Sequence, residues 1–212
     1  MLRLFAFDFD GVLADSVPVK DAALAWLFRE YDPAIQQRAM VVWNHHKGVF
    51  RPERIRRVFR EAVGIELDEQ AVAAQVALFE EQGVERTVTA PPIPGSHAFL
   101  ERHAARYPCY VVSAGPESEV REIITRRGIA AWFRGIYGGP EKKSTILTRI
   151  LHAESCPPEA ALFLGDSKTD YLAAREVGMA FLGVVAPGLV NPFPAEVPVV
   201  PDLTTLNPED FT

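Results

Sequence analysis

Residues 2–16 read LRLFAFDFDGVLADS, and the interpretation of the whole chain turns on them. Leu4, Phe5, Ala6 and Phe7 form the short apolar run that a strand buried on both faces needs. The run stops abruptly at Asp8-Phe9-Asp10-Gly11. In extended backbone, residues i and i+2 point to the same side, so Asp8 and Asp10 are expected to converge at the strand's end. Gly11 lets the chain turn sharply behind them. Two close carboxylates repel and call for a cation, and hard oxygen ligands suit Mg2+. A strand followed by an acidic turn gives the same pattern in isolation, so the rest of the chain must decide.

Downstream the hydrophobic period changes. Residues 17–31, 34–46 and 51–63 read as helices, and a fourth helix runs from an N-cap at Asp68 to about Gly83. Asp32-Pro33 stops the first and Gly64 fits the end of the third. No clear strand lies among them. Pro91-Pro92-Ile93-Pro94-Gly95 is the sharpest punctuation in the chain.

Beyond it, predicted helices over 96–106, 117–127, 142–153 and 169–177 are interleaved with predicted strands over 109–112, 135–137, 161–164 and 180–184. That alternation implies an α/β fold with a parallel sheet covered on both faces. A lone strand is not stable, so the first strand belongs with this later region. The expected organisation is a core of residues 1–15 and 90–212, with a helical cap of residues 16–89 inserted after the first strand. Ligands of open α/β sheets bind beyond the carboxyl ends of the strands, so an insertion there is placed to be a lid. The Pro-rich tail from Pro187 shows no readable element.

Composition narrows the function classes. The 212 residues are 48% hydrophobic and 24% charged, as in ordinary globular proteins. A net charge of −6 argues against a nucleic-acid partner. No apolar run approaches the roughly 20 residues of a membrane span, and no signal peptide is read. Cys109 and Cys156 make no disulfide framework, and Cys109 lies in an apolar strand, where it reads as core. A cytoplasmic monomer or homodimer without membrane contacts is expected.

Polar residues of particular kinds stand at four strand ends. Asp8 and Asp10 follow the first strand, and Ser113 with Ala114 and Gly115 follows the second. A Gly-Gly-Pro turn leads to Lys142 and Lys143, and Asp166 and Asp170 lie within GDSKTD. Ser113 or Asp166 would serve equally as a helix N-cap, and two lysines as a solvated face. Their joint placement at one sheet edge is what points to a site.

In this ordered set, DFDGVLADS, VVSAG, the lysine near GGPEKKSTIL and GDSKTD, the chain resembles the haloacid dehalogenase superfamily of hydrolases. It looks most like the phosphoglycolate phosphatase and β-phosphoglucomutase branch. The resemblance implies a Rossmann-like core with a helical cap, and Mg2+-dependent hydrolysis of a small phosphorylated metabolite. It implies Asp8 as nucleophile, Asp10 as the acid and base, and Gly11, Ser113, Ala114 and Lys143 around the phosphoryl group. It further implies Asp8, Asp10 (through its carbonyl), Asp166 and Asp170 about the metal. The family spacing favours Lys143 over Lys142.

The chemistry agrees with those roles. A carboxylate attacking a phosphate dianion meets like-charge repulsion, which a metal ion offsets. An aspartyl phosphate divides one hard displacement into two easier ones. A sugar phosphomutase would use the same motifs. A dehalogenase would need neither the metal nor the packed acids, a phosphonate-cleaving relative would use a cap lysine such as Lys47, and a non-catalytic binding protein would keep only the fold. The cap carries a cationic run, Trp43 to Arg51, and from it Lys47 and Arg51 are expected to select the substrate. The plainer reading of this run is a solvated helix junction.

Overall fold

The computed structural model describes residues 2–211. Its centre is a six-stranded parallel sheet in the order β3-β2-β1-β4-β5-β6. The strands are β1 (Leu4–Phe7), β2 (Cys109–Pro116), β3 (Gly135–Gly139), β4 (Ala161–Gly165), β5 (Ala180–Val184) and β6 (Val199–Val200). Between β1 and β2 run the helices α1 (Val17–Leu27), α2 (Pro33–His45), α3 (Arg51–Val58), α4 (Glu69–Thr89) and α5 (Ser96–His103). After β2 come α6 (Glu117–Arg126), α7 (Lys143–Ala153) and α8 (Lys168–Val177). This is an α/β, Rossmann-like architecture, as the alternating pattern predicts.

The alternation within β1 divides its side chains between two cores. Phe5 and Phe7 pack with Phe99, Val111 and Ile124 on one face, while Leu4 and Ala6 pack with Tyr110, Ile146 and Phe163 on the other. Burial on both faces explains why β1 reads as an unbroken apolar run. β1 pairs with β2 on one side and β4 on the other, so the chain reverses its direction of sheet growth at β1. The crevice for a ligand in such sheets opens at this reversal.

Helices α1–α4 have an apolar core of their own, built around Leu24, Phe28, Trp43, Ile55 and Phe79. Three details differ from the sequence expectation. Helix α4 does not stop near Gly83 but continues to Thr89. A glycine inside a helix costs only about 1 kcal/mol relative to alanine. A Cβ at Gly83 would lie 3.9 Å from Ala23 of α1, an ordinary contact, so the glycine is no more than a tolerated helix residue there. The third helix changes to a π-helical turn at Phe59–Val63 before Gly64 ends it in the left-handed conformation. Finally, the tail supplies β6, which two residues are too short to announce.

Two segments tie the insert to the sheet. At its C-terminal end, Arg127 Nη1 donates to the carbonyl oxygens of Thr87, Val88 and Ala90 at 2.9, 2.9 and 2.8 Å. They lie at the end of α4, where carbonyls run out of helical partners; Thr87 O also accepts from the Ala90 N–H at 3.4 Å. At its N-terminal end, Asp15 N–H donates to Pro91 O at 2.8 Å, which brings the two connections together.

Candidate active site

Asp8 is fixed where β1 ends. Its backbone N–H donates to Leu164 O at 2.8 Å, and its Oδ1 accepts from the Phe9 N–H at 2.7 Å. The other carboxylate oxygen, Oδ2, lies 3.0 Å from Lys143 Nζ. Lys143 is the first residue of α7 and is buried, whereas Lys142 before it is the exposed N-cap residue. The sheet edge therefore receives Lys143, as the family spacing favours. The same ammonium donates to Asp170 Oδ1 at 2.5 Å.

Asp170 is held from its own helix as well. Ser167 caps α8, and its N–H and Oγ donate to Asp170 Oδ2 at 3.1 and 2.6 Å. The capping box thus aims a fully buried carboxylate. Ser167, not Asp166, caps α8, so Asp166 is left to face the cleft. Carboxylate oxygens of Asp8, Asp166 and Asp170 lie within 4.8 Å of one another. The three are buried and offer hard oxygen donors, so they fit a divalent cation such as Mg2+.

The electrostatics of the group show how short of positive charge it is. Burial, reinforced by Asp170, pushes the Asp8 carboxyl well above its usual value despite the pull of Lys143. Burial raises Asp166 to about 6, although Lys47 pulls it down. Burial opposes the charge of Lys143, but Asp170 and Asp8 outweigh it and hold its pKa above the usual value.

Asp10 lines the same cleft, yet its carboxylate leaves the group. It accepts from Ser16 Oγ and from Lys20 Nζ, each at 2.6 Å. The reason is local: the chain turns at Gly11, and Asp10 bridges to Ala14 instead of continuing the strand. Same-side convergence therefore brings the two acids into one cleft without giving them common partners. Burial acts to raise Asp10, but Lys20 and Ser16 prevail and hold it below its usual value.

Ser113 is buried, and it caps no helix: Pro116 occupies the N-cap of α6. Strand β2 continues past the expected end, with a register irregularity between Val112 and Pro116 that carries Ser113 and Ala114 at the sheet edge. Ser113 Oγ accepts from the Gly115 N–H at 3.1 Å, which leaves its own hydrogen for another acceptor. Gly11 approaches so closely that a Cβ there would lie 2.0 Å from Asp166 Oδ2.

The insert closes over this edge. Lys47 Nζ lies 2.7 Å from Asp166 Oδ2. Arg51 is buried and forks onto Glu119 of α6, with Nη2 to Oε1 at 2.7 Å and a second bond from Nη1 to Oε2. Its Nη1 also reaches Glu80 of α4 at 3.0 Å. His46 instead pairs with Glu61 within the insert, and His45 is exposed. The space left between insert and sheet edge is about 60 Å3, room for a few water molecules. Sequence reasoning did not single out Lys20, Glu80 or Glu119. Each reads as a charge on an amphipathic helix, and only the tertiary fold shows what it faces.

The sequence matches the haloacid dehalogenase-like hydrolase family over residues 5–184, and the chain belongs to that family. The phosphoglycolate phosphatase of Pseudomonas putida is 30% identical over 217 residues, covering 97% of this chain and 79% of that protein. Within the family, its curated relatives are phosphoglycolate phosphatases, and the chain is an enzyme of the phosphatase class. A Haemophilus somnus crystal structure, described as a predicted phosphoglycolate phosphatase, matches with a TM-score of 0.73 at 22% identity. The match covers 96% of this chain and 95% of that one. The β-phosphoglucomutase of Clostridium difficile matches with a TM-score of 0.75 at 18% identity, over 99% and 95% of the two chains. Both structures share the fold. Among the described residues, no helix is long and apolar enough to cross a membrane.

Proposed function

We propose that this protein is a Mg2+-dependent phosphatase that hydrolyses a small phosphorylated metabolite through a phosphoryl group carried on Asp8. The observation that carries the reading is the placement of Lys143 Nζ between Asp8 and Asp170, 3.0 and 2.5 Å away, beside Asp166. One ammonium serving two buried acids holds the nucleophile in place and opposes its protonation, against burial and the neighbouring acids. Asp8, Asp166 and Asp170 would hold the metal with the Asp10 carbonyl, and the bound ion would supply positive charge against phosphate repulsion.

The chain's own groups account for the remaining needs. The Ser113 hydroxyl and Lys143 would hold phosphoryl oxygens, with Gly11 and Ala114 giving close backbone approach. Asp10 would give its proton to the leaving oxygen and then take one from water. The lowered pKa of Asp10 suits the second half of that cycle. For the first half, Lys20 must withdraw, and Lys20 stands on α1 of the insert. Residues 16–89 would accordingly act as a lid over the core of residues 1–15 and 90–212. A metabolite larger than a few waters enters only if that lid opens.

The test is a screen of metabolite phosphates and an aryl phosphate, with Mg2+ and with chelator. Release of phosphate that needs the metal is expected. Phosphate release that survives chelator would overturn the metal requirement, turnover of a 2-haloacid in place of the phosphates would favour halide displacement, and isomerisation of a sugar phosphate without release would favour a phosphomutase.

A further inference from the structure

Arg51 is a cation of the cleft wall whose carboxylate partners lie outside the group of reacting acids. Lys20 sits on Asp10, Lys47 on Asp166 and Lys143 on Asp8, whereas Arg51 binds no acid of the sheet edge. A guanidinium fork is well suited to hold the carboxylate or second phosphate of a substrate. Here the fork already holds a carboxylate, that of Glu119 from the core. The Arg51 side chain is 5% exposed and that of Glu119 10%, so the pair is shielded from water. Glu80 adds a second carboxylate to the same guanidinium. Two carboxylates on one guanidinium leave the triad with a net charge of −1. A second anion approaching Arg51 meets that charge and must displace a bidentate partner from a buried site.

The other arginine of the insert's wall keeps its charge, having no carboxylate partner, but its fork is engaged by the chain itself. Arg54 stacks on the Trp43 ring with its carbon 3.3 Å from the centroid, and its Nε and Nη2 donate to Trp43 O at 2.9 and 2.6 Å. The remaining wall offers the amide of Asn44, Val49 and the carboxylate of Asp21, whose Oδ1 accepts from the Nε1–H of the buried Trp43 indole at 3.0 Å. An amide and a carboxylate match hydroxyl groups, while a valine matches carbon.

We propose that Glu119 is a specificity-determining residue. By occupying the fork of Arg51, it takes away a bidentate anion receptor of the cleft and biases the site toward phosphomonoesters whose far end is uncharged and hydroxyl-bearing. The inference rests on the phosphatase reading and names the substrate class within it. It also reassigns Arg51, from a group that grips the substrate's far end to one that joins α3 and α4 of the insert to α6 of the core.

Two esters of matched size separate the cases: 2-hydroxyethyl phosphate and phosphoglycolate, which differ in a hydroxymethyl against a carboxylate. The full-length enzyme with Mg2+ is expected to favour the hydroxyl ester in kcat/KM by about tenfold, a difference of about 1.4 kcal/mol. Glu119→Gln frees one charge of Arg51 and should shift that ratio toward phosphoglycolate by about tenfold or more. Adding Arg51→Gln to it should abolish the shift, because the receptor itself is then gone. Arg51→Gln alone should not move the ratio toward the hydroxyl ester, and this arm stands even if Glu119→Gln fails to fold. A native preference for phosphoglycolate that Arg51→Gln removes would overturn the inference, as would turnover of both esters at a ratio Glu119→Gln leaves unchanged. If neither ester nor an aryl phosphate is hydrolysed, the phosphatase reading falls and takes the inference with it.

Discussion

Lys47 Nζ and Asp166 Oδ2 lie 2.7 Å apart, one on the insert and the other at the end of β4. The ammonium therefore rests on an oxygen that a divalent cation would need. Both are partly screened from water, with side chains 28% and 8% exposed, so the contact is stronger than a surface pair. Lys47 and a cation on Asp166 should compete. Lys47→Met is expected to tighten Mg2+ binding by about tenfold, the effect of about 1.4 kcal/mol, as read by titration calorimetry on the substrate-free protein. Unchanged or weaker affinity would mean that Lys47 leaves Asp166 without cost when the insert opens.

Asp8→Asn should reduce turnover by more than about a hundredfold, because an amide cannot take up the phosphoryl group. Its effect on stability should have the opposite sign. Asp8 is buried, with its pKa raised by burial and then by Asp170, so its charge is a burden in the metal-free protein. The variant should melt at or above the temperature of the native protein in chelator. The measurement is a thermal melt beside a phosphate-release assay, and a large loss of melting temperature would show that the bond from Lys143 outweighs the repulsion.

Most of the fold was legible because period reports burial. The Leu4 to Phe7 run and the helix-strand alternation after Gly95 are direct consequences of a sheet covered on two faces. Short or permissive elements were less visible. Nothing in Val199-Val200 announces a strand, and Gly83 imitates a helix end while lying inside α4. At the site, Asp8, Lys143, Asp166 and Asp170 were legible because each follows a strand and so lands at one edge. Glu119 was not, since it reads as an acidic residue in the first turn of α6, where the helix dipole alone would favour it. Its partner Arg51 is 68 residues away, and such a pair is visible only in three dimensions.

The Arg51 and Glu119 pair also predicts a pH response. Burial would raise Glu119, but the bonds from Arg51 outweigh it and hold the carboxyl below its usual 4.5. A carboxyl lowered in the folded state stabilises the protein above its unfolded value and loses that contribution as pH falls through the folded value. The pair should therefore hold the insert against the core at neutral pH and release it below about pH 4.5. Hydrogen exchange of α3 and α6 should quicken in that acid range in the native protein. Glu119→Gln should show the faster exchange at neutral pH already, with a smaller further change on acidification. Equal pH dependence in both proteins would place the acid response elsewhere.

Gly48 is the point where the insert touches the loop that aims Asp170. Its φ is +79°, which disfavours any side chain, and a Cβ there would lie 1.7 Å from Thr169 Oγ1 and 2.4 Å from Ser167 Oγ. Thr169 Oγ1 also donates to Lys47 O at 3.3 Å, so the contact is bonded as well as close. Gly48→Ala must either hold the insert away or push Ser167, whose Oγ is 2.6 Å from Asp170 Oδ2. Either movement misplaces a charged group near the reacting phosphate, and misplacement by about 1 Å costs on the order of a hundredfold in rate. The insert and the sheet have separate apolar cores, so the loss of melting temperature should be small beside the loss of kcat/KM. Assays and melts on Gly48→Ala, with small-angle scattering to read the spacing between insert and core, check this. Native kcat/KM in that variant would mean that the enzyme turns over without bringing Gly48 onto Thr169.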